Sequence, residues 1–294
     1  MRYTIQNEFL TVQAEDLGAQ LASIRTPDGE EYLWQGDPDI WARRAPILFP
    51  FIARLREGKY DLDGQTYSIS THGFARDSLF SVADQGPDRI SFQLTDTPET
   101  RAVYPFAFSL TVTYTLDGNR LIKSHRVENR SDRDMLYELG AHDGFRVPGP
   151  MGEWAVRLPG VEAVRLYPMD GDQMVTPKGE PIPLEHSRLP LTPSTYGQDT
   201  IILDSPAGHT AVLADGQDRP RVTVEFPDFP YLGVWTAHKP FDTGYVCIEP
   251  WSSLPDATFV DRELSSKAGV RRLAPGGSET LTYTTTIHTG DEPL

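Results

Sequence analysis

The sequence predicts an all-β fold, a sandwich or a barrel, on three observations. Apolar residues recur with a period of two, tight-turn signals recur about every 8 to 12 residues, and helical signals are few. The 24 glycines and 25 prolines among 294 residues agree, since they fit a turn-rich chain better than a helical bundle.

The elements follow in chain order. Asp37-Pro38-Asp39-Ile40-Trp41 predicts a short capped turn, with proline in the first helical position. Tyr60 to Ile69 predicts a hairpin folded at Asp63-Gly64, and Ile90, Phe92 and Leu94 mark an alternating strand. Phe108, Leu110, Val112, Tyr114 and Leu116 alternate with Ser109, Thr111, Thr113 and Thr115. One face of that strand is therefore apolar and the other rich in hydroxyls. Asp117-Gly118-Asn119 predicts a tight turn into a second extended stretch, Leu121 to Val127. Pro177 to Pro193 predicts a long loop over one face. Val222, Val224 and Phe226 form another strand, as do Leu281, Tyr283 and Ile287, and Asp261 to Ala268 predicts a short helix before Gly269. Strand patterns look alike on both sides of the proline-rich loop and no low-complexity linker interrupts them, so residues 1–294 are expected to form one domain.

Charge narrows the partners. With 27 Lys and Arg against 42 Asp and Glu, the net charge is −15 and the cations are scattered. Nucleic acid and anionic membrane surfaces are bound through clustered cations, so neither is an expected partner. The longest apolar run, Ala45 to Ile52, is far shorter than the roughly 20 residues of a spanning helix. The first residues show no signal-peptide core. Cys247 is the single cysteine and excludes both an internal disulfide and a multi-thiolate zinc site. A cytoplasmic setting is expected, and monomer and homodimer both stay open.

Three segments carry candidate chemistry. His72 lies in Thr71-His72-Gly73-Phe74-Ala75-Arg76-Asp77, after a predicted strand, where Gly73 permits a sharp turn or a close approach to a ligand. His142 lies in Gly140-Ala141-His142-Asp143-Gly144-Phe145 in a similar setting. Either histidine could instead cap loop backbone. Glu249 ends the apolar run Tyr245-Val246-Cys247-Ile248, where burial is expected to raise its pKa above about 4.3. A strand-end ion pair with arginine is the alternative. Pro250 is expected to stop the strand there. Trp251 and Trp235 offer flat apolar faces for a sugar or filling for the core, the core being favoured for Trp235. Cys247 reads as packing. Spacing for a helical metal site, a Gly-x-Ser-x-Gly elbow, a phosphate-binding Gly-rich loop and a dinucleotide fingerprint are all missing. No metal is expected.

Taken together these segments resemble the aldose 1-epimerase (galactose mutarotase) superfamily, and more narrowly its shorter bacterial LacX-like subgroup. The resemblance spans nearly the whole chain. It runs through Glu31-Tyr32-Leu33-Trp34-Gln35-Gly36-Asp37, Ala45-Pro46-Ile47-Leu48-Phe49-Pro50-Phe51, Arg54 and Asp63-Gly64. It continues through the His72 segment, Tyr104-Pro105-Phe106, Phe226-Pro227-Asp228-Phe229-Pro230-Tyr231-Leu232-Gly233-Val234-Trp235 and Cys247-Ile248-Glu249-Pro250-Trp251. The resemblance implies a large antiparallel β-sandwich of galactose-mutarotase type that binds a monosaccharide in a concave cleft. It implies interconversion of α and β anomers of free aldoses without a cofactor. By motif it makes Glu249 the catalytic base and His142 the catalytic acid, with His72, Arg54 and Asp199 binding sugar. Arg76 in the histidine motif either joins them or bonds to Asp77 or loop carbonyls. Arg54 has its own alternative in an ion pair at a sheet end.

One departure is visible. The family usually reads Gly-Gly-His-Pro-Ala-Phe where this chain has Gly140-Ala141-His142-Asp143-Gly144-Phe145. A carboxylate next to His142 is expected to raise that imidazole's pKa or to alter which hydroxyl it meets. The residue types suit ring opening, which takes a proton from the C1 hydroxyl and delivers one to the ring oxygen. An imidazole titrating near pH 6.5 and a carboxylate raised by burial approach each other in strength. Alternatives are a hexose-6-phosphate mutarotase, which needs added cations, a non-catalytic sugar-binding sandwich, and a glycosidase pairing Asp199 with Glu249.

Overall fold

Alternation along the chain builds two large sheets that share one core. The computed structural model describes residues 1–196, 200–237 and 242–290. The hairpin of Phe108–Asp117 and Arg120–Asn129 forms as its sequence predicts, with Asp117 opposite Arg120 and Gly118-Asn119 as the turn. It sits inside a nine-stranded sheet. The spatial order is Arg188–Pro190, Trp154–Arg157, Thr210–Asp215, Pro220–Glu225, Ser278–Ile287, Arg120–Asn129, Phe108–Asp117, Arg89–Thr95 and Ser81–Gln85. Each of these strands pairs antiparallel with its neighbours.

The second sheet has six strands. Ile201–Asp204, Tyr231–Trp235, Tyr245–Trp251, Gly140–Ala141 and Ile47–Leu48 follow in order, and Asp143–Arg146 also pairs with Tyr245–Trp251. Leu110, Val112, Leu121 and Val127 of the first sheet pack with Leu232, Val234, Val246 and Ile248 of the second in one continuous apolar core. Each such side chain contributes about 1.5–3 kcal/mol by leaving water. The expected large antiparallel β-sandwich is therefore what the chain forms. A three-stranded sheet, Arg2–Gln6, Thr11–Glu15 and Leu21–Arg25, flanks it. Among the described residues no helix is long and apolar enough to cross a membrane.

Local expectations fare unevenly. Asp37–Trp41 is the predicted capped turn: the Trp41 N–H donates to the Asp37 carbonyl at 2.7 Å and the Asp39 N–H to the Asp37 side chain at 2.9 Å. The helix expected over Asp261–Ala268 shrinks to the single 3-10 turn Leu264–Ser266. The proline-rich loop is interrupted by the short strands Ile182–Pro183 and Arg188–Pro190. Pro250 does not end its strand, which runs on to Trp251. Proline lacks an N–H toward one neighbour only. Pairing with Tyr231–Trp235 therefore continues through Pro250, opposite Leu232, while pairing on the other side lapses between Gly140 and Asp143.

Candidate active site

That lapse sets the site. Gly140 stands opposite Trp251 and Asp143 opposite Ile248, so the common register puts His142 across from Glu249. Side chains alternate along a strand. Val246 and Ile248 face the sandwich core, leaving Tyr245, Cys247, Glu249 and Trp251 on the other side, where His142 and Gly144 also point. His142 Nδ1 lies 3.3 Å from Glu249 Oε1, and both residues are buried, at 8% and 1% exposure. The contact is close but off the line a hydrogen bond requires, so Nδ1 has no hydrogen-bond partner.

An aromatic layer covers the pair. The Trp41 ring stacks on His142 with centroids 4.9 Å apart and on Tyr245 at 5.4 Å. Trp235 meets the His142 ring edge-on at 5.4 Å. Gly144 makes room, because a Cβ there would lie 2.9 Å from the Trp41 ring. The Asp37–Trp41 turn thus places an indole that no periodicity marks, and Trp41 is a candidate site residue the sequence reading missed.

His72 joins from a loop. Its φ of 65° is the left-handed region, which costs a side-chain-bearing residue free energy and persists only when its surroundings hold it. Here they do. The His72 N–H donates to the Ala53 carbonyl at 2.7 Å, and the Ala53 N–H donates to His72 Nδ1 at 3.0 Å. The second bond makes Nδ1 the acceptor, leaving Nε2 as the N–H donor of a neutral ring. The His72 and His142 rings are 5.5 Å apart. Gly73 serves backbone rather than ligand, since a Cβ there would lie 2.3 Å from the Phe49 carbonyl oxygen. Residues 52–56 are themselves pinned by buried charges. The Ile52 N–H donates to Glu138 and the Arg56 N–H to Asp256, each at 2.8 Å. Lys267 Nζ bridges those carboxylates at 3.3 and 3.6 Å.

Burial dominates the electrostatics. It pushes the His142 imidazole down to about 3, and the Arg76 and Arg43 guanidiniums add to the effect. Burial likewise holds His72 well below its ordinary value, with His142, Arg76 and Arg43 acting in the same direction. Both rings are neutral near pH 7, so the expectation of a histidine poised at pH 6.5 is corrected by its desolvation. The expected influence of Asp143 is corrected too. Its side chain points the opposite way, into the sandwich, where it ion-pairs with fully buried Lys123 and accepts the Tyr283 O–H at 3.0 Å. It is not among the groups that shift His142.

The remaining expected residues divide. Arg76 is half-buried beside the histidines, 3.4 Å from Asp77, which also receives Arg43. Arg54 is exposed, next in the chain to the Ala53 that bonds His72, and lines a cavity of about 790 Å³ with Arg56, Asp170, Asp172 and Thr258. Trp251 shares the strand face of Glu249 but lies over Gly233 at 3% exposure, packed with Leu48, Ile52 and Val175. Trp235, favoured as core, is instead the half-buried ring beside His142. Asp199 lies outside the described residues. Cys247 is buried, as its packing role requires.

Comparison with known proteins follows the same lines. A family model described as aldose 1-epimerase matches residues 1–284. The chain is 31% identical to the chromosomal protein LacX of Lactococcus lactis subsp. lactis over 301 aligned residues, covering 98% of this chain and 99% of LacX. The plasmid-borne LacX is 32% identical with the same coverage. Among solved structures, a galactose mutarotase related enzyme from Lactobacillus acidophilus superposes with a TM-score of 0.93 at 31% identity over 100% of both chains. A galactose mutarotase-like protein from Lactobacillus casei gives 0.90 at 29% identity, over 98% of this chain and 100% of its own.

Proposed function

The chain belongs to the aldose 1-epimerase family, and from that premise we propose that it interconverts the α and β anomers of a free aldose beneath Trp41 and Trp235. The observation that carries this reading is the cross-strand pair of a buried carboxylate and a buried neutral imidazole, 3.3 Å apart.

Ring opening needs two proton movements, and the pair supplies both. The Glu249 carboxylate takes the C1 hydroxyl proton, and the freed electron pair forms the C1 carbonyl. The C1 to ring-oxygen bond breaks with its electrons on the ring oxygen, which receives the proton from His142 Nε2. The proton on Glu249 crosses to His142 Nδ1, restoring the carboxylate. His142 thus begins and ends neutral, with its two nitrogens exchanged. That fits an imidazole whose protonated form is opposed by burial and by two guanidiniums. Rotation about C1–C2 and the reverse relay close the ring in the other configuration.

Each acid or base of this kind contributes about 10²- to 10⁴-fold. That is sufficient for a reaction already quick in water, and the steps as written use no cofactor. His72 Nε2–H binds a sugar hydroxyl, and Arg76 supports charge developing on oxygen. Excluding water under the indoles strengthens each of these interactions.

A second reading, mutarotation of a phosphorylated hexose, is favoured by one observation. Arg76 and Arg43 both stand close enough to His72 and His142 to oppose their protonation, in a chain of net charge −15. Polarimetry of freshly dissolved α-glucose, α-galactose and α-glucose 6-phosphate tests both. Faster relaxation with protein than without supports mutarotation, and the sugar that relaxes fastest selects between the readings. Equal rates with and without protein for all three remove the activity.

A further inference from the structure

Cys247 takes no part in the proposed reaction, yet it shares a strand face with Glu249, two residues away, and lies next to His142. One ligand atom each from His142, Cys247 and Glu249 fall within 4.8 Å of one another. We propose that these three side chains form a binding site for a soft divalent cation of the zinc or cadmium class, and that an ion held there blocks the cleft's acid–base pair. The binding does not rest on the mutarotase reading; the block does.

The donor set fits such an ion. Zinc is held by thiolate sulfur at about 2.3 Å, imidazole nitrogen at about 2.0–2.1 Å and carboxylate oxygen at about 2.0–2.2 Å. Ligand atoms that far from a common centre stand about 3–4 Å apart, so side-chain adjustments near 1 Å close the site. A second, independent observation points the same way. His142 Nδ1 is buried and has no hydrogen-bond partner. A metal ion would occupy that nitrogen.

Charge also balances. A thiolate and a carboxylate neutralise the two positive charges of the ion, and the imidazole adds a neutral nitrogen donor. The thiol proton leaves to solvent as the metal–sulfur bond forms. Arg76 and Arg43 oppose any cation near His142, which selects for ions that bond strongly to sulfur. Magnesium and calcium prefer oxygen ligands and more of them, and are not expected here. With three protein ligands the fourth position of a tetrahedral ion stays open to water or to a sugar hydroxyl.

Cys247 is the chain's single cysteine, so any cadmium–thiolate charge-transfer band in the ultraviolet reports on this site. Titration of the folded protein with cadmium chloride should raise that band to saturation at one equivalent. Glu249→Gln, nearly isosteric, and His142→Ala should each weaken binding by more than about tenfold, since losing even an outer-shell partner costs that much. Stoichiometric zinc should slow polarimetric relaxation by the wild type but not by Cys247→Ala. A wild type without the band, or a band of unchanged affinity in both Glu249→Gln and His142→Ala, overturns the site. A band that forms normally in a protein without mutarotase activity leaves the site standing and removes only the reading of the cleft.

Discussion

The short stretch that carries His142 and Asp143 buries polar groups on both of its faces, and the two faces are finished differently. On the Glu249 side, His142 Nδ1 is buried without a hydrogen-bond partner, Arg76 Nε has an ion pair with Asp77 at 3.4 Å, and His72 holds a left-handed backbone. On the sandwich side, Asp143 accepts from Lys123 and Tyr283, and Lys123 also donates to Thr285 at 2.9 Å. The Lys123 ammonium also lies 4.6 Å from the Tyr283 ring centroid; His125, stacked on that ring in near-parallel planes, has its Nδ1 buried without a hydrogen-bond partner and stands outside this satisfied set. Buried polar groups that satisfy one another rigidify a core; groups left open wait for something to complete them. The contrast fits the proposed role of the His142 side as a ligand site and makes the Asp143–Lys123–Tyr283 cluster a clamp between sheets.

Breaking the clamp should produce the largest effect on stability. Asp143→Asn leaves the Lys123 ammonium buried without its counter-charge, which typically costs about 3–5 kcal/mol. Replacing both partners, Lys123→Met with Asp143→Leu, should recover most of that loss in denaturant titrations. Folded Asp143→Asn should keep its mutarotation rate within a few-fold. A variant that unfolds normally but loses its rate would place Asp143 in the chemistry and erase the contrast.

Acid should weaken the fold more gradually, through both faces at once. Burial holds His142 down to about 3, His125 down to about 4 and His72 well below the ordinary value. As pH falls below about 6.5 the unfolded chain binds these protons first. The stabilisation is therefore complete above that pH and is lost as pH falls toward 4. Each histidine contributes up to about 1.4 kcal/mol per pH unit. The denaturation midpoint should decline between pH 6.5 and 4.5, and His125→Gln should flatten the decline without touching the mutarotation rate. A midpoint independent of pH over that window contradicts the burial of these rings.

Much of the clamp's placement was legible. The period of two assigns Leu121, Lys123, His125 and Val127 to one face, and burial follows that assignment. The same period puts neighbours His142 and Asp143 on opposite faces, so the expectation that Asp143 tunes His142 conflicted with strand geometry from the start. The Gly118-Asn119 turn and the Asp63-Gly64 hairpin were legible because turn chemistry is local. What sits over His142 was not. Trp41 reaches His142 from a loop, and Trp235 and Trp251 occupy the same sheet face, so strand pattern cannot say which ring is covered. Val175, far away in sequence, decides it by packing on Trp251. The helix Pro98–Val103 carried a readable signal, Thr97 before proline with a reciprocal Thr100 cap, that the alternation around it obscured.

The cross-strand pair bears the central claim, and Glu249→Gln tests it most directly. Polarimetric relaxation of α-galactose, measured beside calorimetric binding of the same sugar, separates proton transfer from affinity. The relay through His142 predicts a rate about 10²- to 10⁴-fold lower, with binding within a few-fold of wild type. A Glu249→Gln protein that relaxes the sugar as fast as the wild type would contradict it.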